Sequence, residues 1–204
     1  MIEFVLNNKI TFLIIGLWLV MFLLNLRSTL TKRFCGQGIN YLFKSKEYYR
    51  LLTGGLLHIN LIHFLVNAST MFWIGTFLES KIGHVNFITL YVLGSIVSSM
   101  VFYSIYSKAQ CGVGASGSIF SLIGLILVLQ LRNPEQFQFA LGTWYGNWIV
   151  LYAILANMPF LKFMNSSTVV AHIIGFLCGI KGEGHENYSN RLWSLGFINN
   201  VVFR

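Results

Sequence analysis

At 204 residues the chain is 55% hydrophobic and only 10% charged. Soluble domains carry about a quarter charged residues, so this composition excludes an ordinary water-soluble domain and indicates a polytopic membrane protein. The formal charge of +8 does not signal nucleic acid, because the basic residues are spread between apolar segments and no stripe interleaves with stacking aromatics; the lipid bilayer and its anionic headgroups are the simpler partner.

A membrane span takes roughly 20 mostly apolar residues, and candidates fall near 10–26, 57–78, 85–106, 116–131, 147–163 and 168–181. Six helices consume most of the chain. The expected architecture is therefore all-α, a six-transmembrane-helix bundle in a single domain, 1–204, with a core of about 5–182 and a C-terminal tail of 183–204. The first apolar segment follows Lys9, but Arg27 and Thr31-Lys32-Arg33 come after it with no small-residue cleavage site, so it reads as a retained span. The stretch 27–56 is the only long connection, and it mixes basic residues with Phe34, Tyr41, Leu42, Phe43, Tyr48 and Tyr49. That is too apolar to float free in water and fits partial embedding at the membrane interface. Its basic residues give a slight positive-inside preference for the cytoplasm. Cys35, Cys111 and Cys178 are odd in number and form no CxxC, so neither a zinc cage nor a disulfide framework is indicated; Cys35 and Cys111 could share one aqueous side.

Within the spans, each polar side chain needs a partner or a task. In the second segment His63 and Asn67 stand four apart on one helical face. His58, five before His63, would lie about 140° away on an ideal helix, which puts it at the helix start facing the loop. Glu79, at the far end of that helix, is expected to pair with a base or cap backbone. The fourth segment opens Gly114-Ala115-Ser116-Gly117 and carries the stripe Gly117, Ser121, Gly124; the last carries His172, Gly175 and Gly179 at i, i+3 and i+7. Two glycine-faced helices packed together would bring Ser116 and His172 close at the same end, as a nucleophile and its general base require.

The chain contains no aspartate, and its six glutamates (Glu3, Glu47, Glu79, Glu135, Glu183, Glu186) lie beside neither Ser116 nor His172 in sequence. A Ser-His dyad is the natural reading. Asn67, His63 and the Ser116 backbone N–H could face a developing oxyanion, with the positive end of the helix dipole behind them. Each element also has a plainer reading. GxSG alone is a turn or packing motif, and a single interior histidine is commonly just hydrogen-bonded. Three histidines (His58, His63, His172) could instead hold a metal, although no carboxylate accompanies them. His84 and His185 read as loop residues with structural or solvated roles.

Taken together, the residues resemble the rhomboid family of intramembrane serine proteases. His58, His63 and Asn67 fit HxxxxHxxxN; Gly75, Glu79 and Gly83 fit GxxxExxxG; Gly114–Gly117 fit GxSG; Ala171, His172, Gly175 and Gly179 fit AHxxGxxxG. The resemblance implies a six-helix rhomboid fold that needs no cofactor and binds no metal. It implies Ser116 as nucleophile and His172 as general base, with His63, Asn67 and the Ser116 backbone as oxyanion hole. His58 would support the loop-side hydrogen-bond network and Glu79 the structural one. Transmembrane protein substrates would be cut near helix-destabilising small residues, in a bacterial cell (inner) membrane, with the active site open to the non-cytoplasmic side, against the mild charge preference. Short loops imply a bare catalytic core. Two departures stand out: Phe120 where many bacterial members have tyrosine, and Tyr49-Arg50 where the first loop often carries Trp-Arg. Two other classes stay open: a rhomboid-like pseudoprotease that binds or escorts membrane proteins, and a small transporter or channel using intramembrane histidines.

Overall fold

The computed structural model describes residues 2–27, 29–109, 111–137, 142–157 and 166–181. The tail with His185, Glu183 and Glu186, and most of the Lys162–Ser167 connection, lie outside the described residues. Among the described residues ten α-helices follow in order: α1 Ile2–Asn7, α2 Lys9–Arg27, α3 Leu30–Phe34, α4 Ile39–Ser45, α5 Arg50–Thr53, α6 Leu61–Ile82, α7 His84–Ile105, α8 Ser116–Arg132, α9 Trp144–Leu155 and α10 Ser166–Lys181. Among the described residues there is no strand; an isolated antiparallel bridge pairs Gly36 with Gly112. The protein is an all-α multi-pass membrane protein. Helices α2, α6 and α7 are long and apolar enough to cross a bilayer, while α8 and the apolar parts of α9 and α10 are shorter.

Helix limits follow from local chemistry. The sequence pattern puts the second span from residue 57, but α6 starts at Leu61, because the Asn60 side chain accepts a hydrogen bond from the His63 amide (2.8 Å) and caps the first turn. Gly83, at φ +81°, ends α6 and begins α7 as the single linking residue, a conformation that costs a side-chain-bearing residue about 1 kcal/mol or more. The fifth span, expected near 147–163, has its described helix at Trp144–Leu155, where Thr143 caps the Gly146 amide.

Trp18, Met71, Ile74, Leu78, Phe87, Ile119, Leu122 and Leu129 fill a core shared by α2, α6, α7 and α8. Leu13, Leu17, Val20, Leu23 and Leu24 of α2 are exposed, which suits a helix whose outer face meets acyl chains. Since lipid is as apolar as leucine, helices here associate through close packing and internal hydrogen bonds. Glu79 supplies such bonds. Its buried carboxylate accepts from the amides of Ile10 (2.9 Å) and Thr11 (2.8 Å) and from Thr11 Oγ1 (2.7 Å), and it pairs with His84 Nδ1 (2.6 Å). One acid thus caps the unpaired amides of the α2 N-terminus and ties α2, α6 and α7 together. His84 accordingly has a structural role.

The first loop is folded. Arg50 is buried, with Nε donating to Glu47 (2.9 Å) and Nη1 to the carbonyls of Cys35 (3.1 Å) and Lys32 (3.3 Å). Tyr41, Phe43, Tyr48 and Tyr49 remain exposed on its surface, the amphipathic rings expected at headgroup depth. A disulfide joins Cys35 to Cys111, a pair the sequence leaves undecided. Beside it, Gly36 and Gly112 exchange both backbone hydrogen bonds (2.7 and 2.8 Å). The loop is thereby fastened to the strap that leads into α8.

Candidate active site

That strap ends in Gly114, whose amide donates to the Gly54 carbonyl of the first loop (3.0 Å). Its φ is +118°, and a Cβ there would sit 2.7 Å from His63 Cε1. Both the backbone conformation and the space therefore require glycine. Ala115 follows, fully buried, and Ser116 is the first residue of α8, partly accessible. In that position its amide has no intrahelical acceptor and stands at the positive end of the helix dipole.

The glycine stripes mesh as the sequence suggests. A Cβ on Gly175 would overlap the Gly117 carbonyl, one on Gly179 the Ser121 carbonyl, and one on Gly124 the Phe176 carbonyl. Helices α8 and α10 therefore run backbone against backbone, and His172 comes to the Ser116 end of the seam. One turn into α8, Phe120 stacks on the His172 imidazole, with centroids 4.4 Å apart and planes 19° from parallel. The other face of the stack is Tyr152 of α9, 5.5 Å from Phe120. Loss of the hydroxyl at position 120 leaves the face-to-face contact intact.

His172 is 2% exposed. Its Nδ1 lies 3.1 Å from Asn157 Oδ1. Its Nε2 is buried and forms no hydrogen bond, Ser116 Oγ included, among the described residues. On α6, the Asn67 carbonyl oxygen accepts from the Tyr152 hydroxyl (3.0 Å), while its amide nitrogen, also buried, has no partner among the described residues. His63 lies against Gly114, beside the α8 N-terminus, and Asn67 follows one turn later on the same face of α6.

His58 departs from the helical expectation. Residues 57–60 are not helical, so the 140° separation from His63 does not apply. The two rings meet edge to face at 5.1 Å. His58 is 1% exposed and packs on Trp18 (5.3 Å) and Phe64 (5.7 Å). It is turned into an aromatic cluster. Among the described residues no group of three His, Cys, Asp or Glu side chains is placed to hold a metal ion.

A cavity of about 290 Å³ opens beside the α8 N-terminus, with Ser116, Gly114, Ser98, Tyr103, Gly54 and Ala171 in its wall. It leaves open space beside Ser116 within an otherwise apolar bundle. Two residues of the site are absent from the sequence reading, Asn157 and Tyr152. Asn157 carries a signal that could have found it, an amide at the end of an apolar segment that needs a partner. Tyr152 carries none, being one of nine tyrosines.

Comparisons with known proteins bear on the family of the chain. The family model described as Rhomboid domain matches residues 45–181. Over 182 residues, 85% of this chain, the sequence is 34% identical to Rhomboid protease GluP of Bacillus subtilis, and over 164 residues, 80% of this chain, 32% identical to YdcA of the same organism. Similarity reaches plants, with 31% identity over 140 residues, 65% of this chain, to RHOMBOID-like protein 1 of Arabidopsis thaliana. The chain spans 34% of GluP, 78% of YdcA and 33% of the plant protein. With a family match over most of its length and a relative 34% identical over 85% of it, the chain belongs to the rhomboid family of intramembrane proteases.

Proposed function

We propose that this protein is an active serine endopeptidase that hydrolyses peptide bonds in or near the transmembrane segments of membrane-protein substrates. The observation that carries the reading is the packing of Gly175 onto the Gly117 carbonyl, which holds the α10 histidine beside a helix-opening serine. His172 Nε2 takes the proton from Ser116 Oγ as the oxygen attacks the scissile carbonyl carbon. Charge then develops on the carbonyl oxygen, and the Ser116 amide, Asn67 Nδ2 and the His63 imidazole are the donors assigned to it. Collapse expels the amine, which leaves with the proton from His172. Water, deprotonated by the same nitrogen, then releases the acyl group from Ser116. His58 supports this from beneath, through its edge contact with His63.

The disulfide bears on orientation. Such bonds persist in oxidising compartments, so the face carrying Cys35–Cys111 and the α8 N-terminus is assigned to the non-cytoplasmic side of the cell membrane, against the slight charge preference of the first loop. Transmembrane substrates would reach the site from the bilayer. A rhomboid-like pseudoprotease is the second reading, favoured by the missing Ser116–His172 hydrogen bond; such contacts, however, often tighten only once substrate is bound.

Labelling of the membrane-embedded protein with a fluorophosphonate or isocoumarin probe tests the proposal. Labelling should be lost in Ser116→Ala and His172→Ala, together with cleavage of a co-expressed panel of model transmembrane substrates. Substrate processing that survives Ser116→Ala would select the pseudoprotease instead.

A further inference from the structure

Asn157 stands two residues beyond the last helical residue of α9, and its amide is engaged at both ends. Nδ2 donates to the Ala153 carbonyl at 2.7 Å, and Oδ1 lies 3.1 Å from His172 Nδ1. An amide nitrogen donates but does not accept, so its bond to a carbonyl assigns the two ends of the group. The atom that faces the imidazole is therefore the acceptor oxygen. Opposite an acceptor, Nδ1 of the neutral ring must carry the hydrogen, and the lone pair is left on Nε2. The Ala153 bond thus reads through the amide to the far side of a histidine on another helix.

From this geometry we infer that Asn157 is a positioning residue for His172, holding it as the Nδ1–H tautomer and fixing its rotation about the axis that the Phe120 stack leaves open. The inference rests on the protease reading and deepens it by supplying a third member for a dyad in a chain without aspartate. An amide serves that role in Cys-His-Asn proteases. It suits this location, because a carboxylate beside a 2%-exposed ring would have to be desolvated, and a neutral dipole largely avoids that cost. The amide also keeps accepting from Nδ1–H when the ring becomes an imidazolium, so it need not rearrange during the reaction. The Ala156 carbonyl lies within reach of the same imidazole. It provides a backbone alternative that limits the expected effect of removing the side chain.

The test uses the full chain in proteoliposomes with a single-pass model substrate, comparing wild type, Ser116→Ala, Asn157→Leu and Asn157→Asp. Asn157→Leu should lower kcat about tenfold, the scale of one lost net hydrogen bond, with KM within about twofold. Asn157→Asp, which keeps the acceptor, should restore turnover to within a few-fold of wild type. Imidazole ¹⁵N shifts of His172, read in Ser116→Ala above the titration of the ring, should report a protonated Nδ1 and a bare Nε2. In Asn157→Leu the same shifts should report a mixture of tautomers. A wild-type kcat with an unchanged tautomer in folded Asn157→Leu overturns the inference. So does an Nε2–H tautomer in the otherwise native protein, a result that needs no Asn157 variant to fold. Cleavage that persists in Ser116→Ala sinks the protease reading itself, while the tautomer measurement still decides what Asn157 does.

Discussion

Gly175→Ala is the smallest change that should separate the two halves of the site. A methyl carbon on Gly175 would overlap the carbonyl oxygen of Gly117 and lie 3.0 Å from its carbon and 3.2 Å from its Cα. All three atoms are backbone, so no rotamer change can relieve the contact. Ordinary packing separations are near 3.5 Å or more, which means α8 and α10 must part by on the order of 1 Å at this level. Overpacking of this kind costs about 1–3 kcal/mol, offset by up to about 1 kcal/mol from the better helix propensity of alanine, so a net loss of about 1–2 kcal/mol is expected. Activity should suffer more than stability. Gly175 lies three residues from His172 on α10, and a misplacement of about 1 Å between reacting groups can cost on the order of a hundredfold in rate. Initial cleavage rates in proteoliposomes, with thermal unfolding in detergent measured alongside, give both quantities. Gly16→Ala is the matched control, since a Cβ there meets nothing within 4 Å, and it should cut at the wild-type rate. If Gly175→Ala also cleaves at the wild-type rate, the seam does not set the Ser116–His172 geometry.

Four further changes probe the supports of the site. Glu79→Ala strips three donors of their acceptor at the start of α2 and should cost about 3 kcal/mol or more in detergent unfolding; an unchanged midpoint would show that the cap carries no weight. Cys35→Ser opens a bond spanning 76 residues and should remove about 2–4 kcal/mol, as dithiothreitol should in the wild type, and a melting curve indifferent to reductant contradicts the linkage. Phe120→Leu loses a stacking contact worth about 0.5–1.5 kcal/mol and should slow cleavage several-fold, whereas Phe120→Tyr should not; equal rates in both would release Phe120 from any role at His172. Hydrogen bonds from Arg50, then from Tyr49, hold the Glu47 carboxyl below its ordinary value of 4.5, and a depressed carboxyl contributes stability above that value which is lost as pH falls through the folded-state pKa. Glu47→Gln should therefore lower stability at neutral pH and leave it nearly unchanged below the folded-state pKa, which flattens the acid limb, and an identical acid limb in both proteins would count against it.

What the sequence made legible follows from period and from small residues. Apolar runs located the helices because lipid demands them, and their limits slipped where a local cap overruled the run, as Asn60 does at the start of α6. The α8–α10 seam was legible because only glycine permits backbones to touch, so Gly117, Gly124, Gly175 and Gly179 mark their own contact. The Cys35–Cys111 pair was not, since two of three cysteines 76 residues apart say nothing about whether the chain folds back between them. His58 misled for a related reason: angular arithmetic on a helix has no meaning three residues before the helix begins at Leu61. Asn157 escaped because its function depends on an end-to-end arrangement of an amide between two helices, which no spacing encodes.

The replacement at position 120 shows how such a site tolerates a lost hydrogen bond. The hydroxyl missing from Phe120 has a counterpart one ring further along the stack, where Tyr152 donates to Asn67 across to α6. His172 is then confined by a ring on its face, an amide at Nδ1 and bare glycine backbone one turn below on its own helix. None of these three contacts carries a charge. Each works by shape or by a fixed dipole, and in a bundle surrounded by hydrocarbon that is the inexpensive way to hold an imidazole still. It also means that the pH dependence of turnover should follow imidazoles, those of His172 and His63, with no carboxylate limb of the kind an aspartate-bearing triad would add. A second acidic inflection in the rate profile that survives both Asn157→Leu and His63→Phe would reveal a carboxylate partner that this arrangement does not contain.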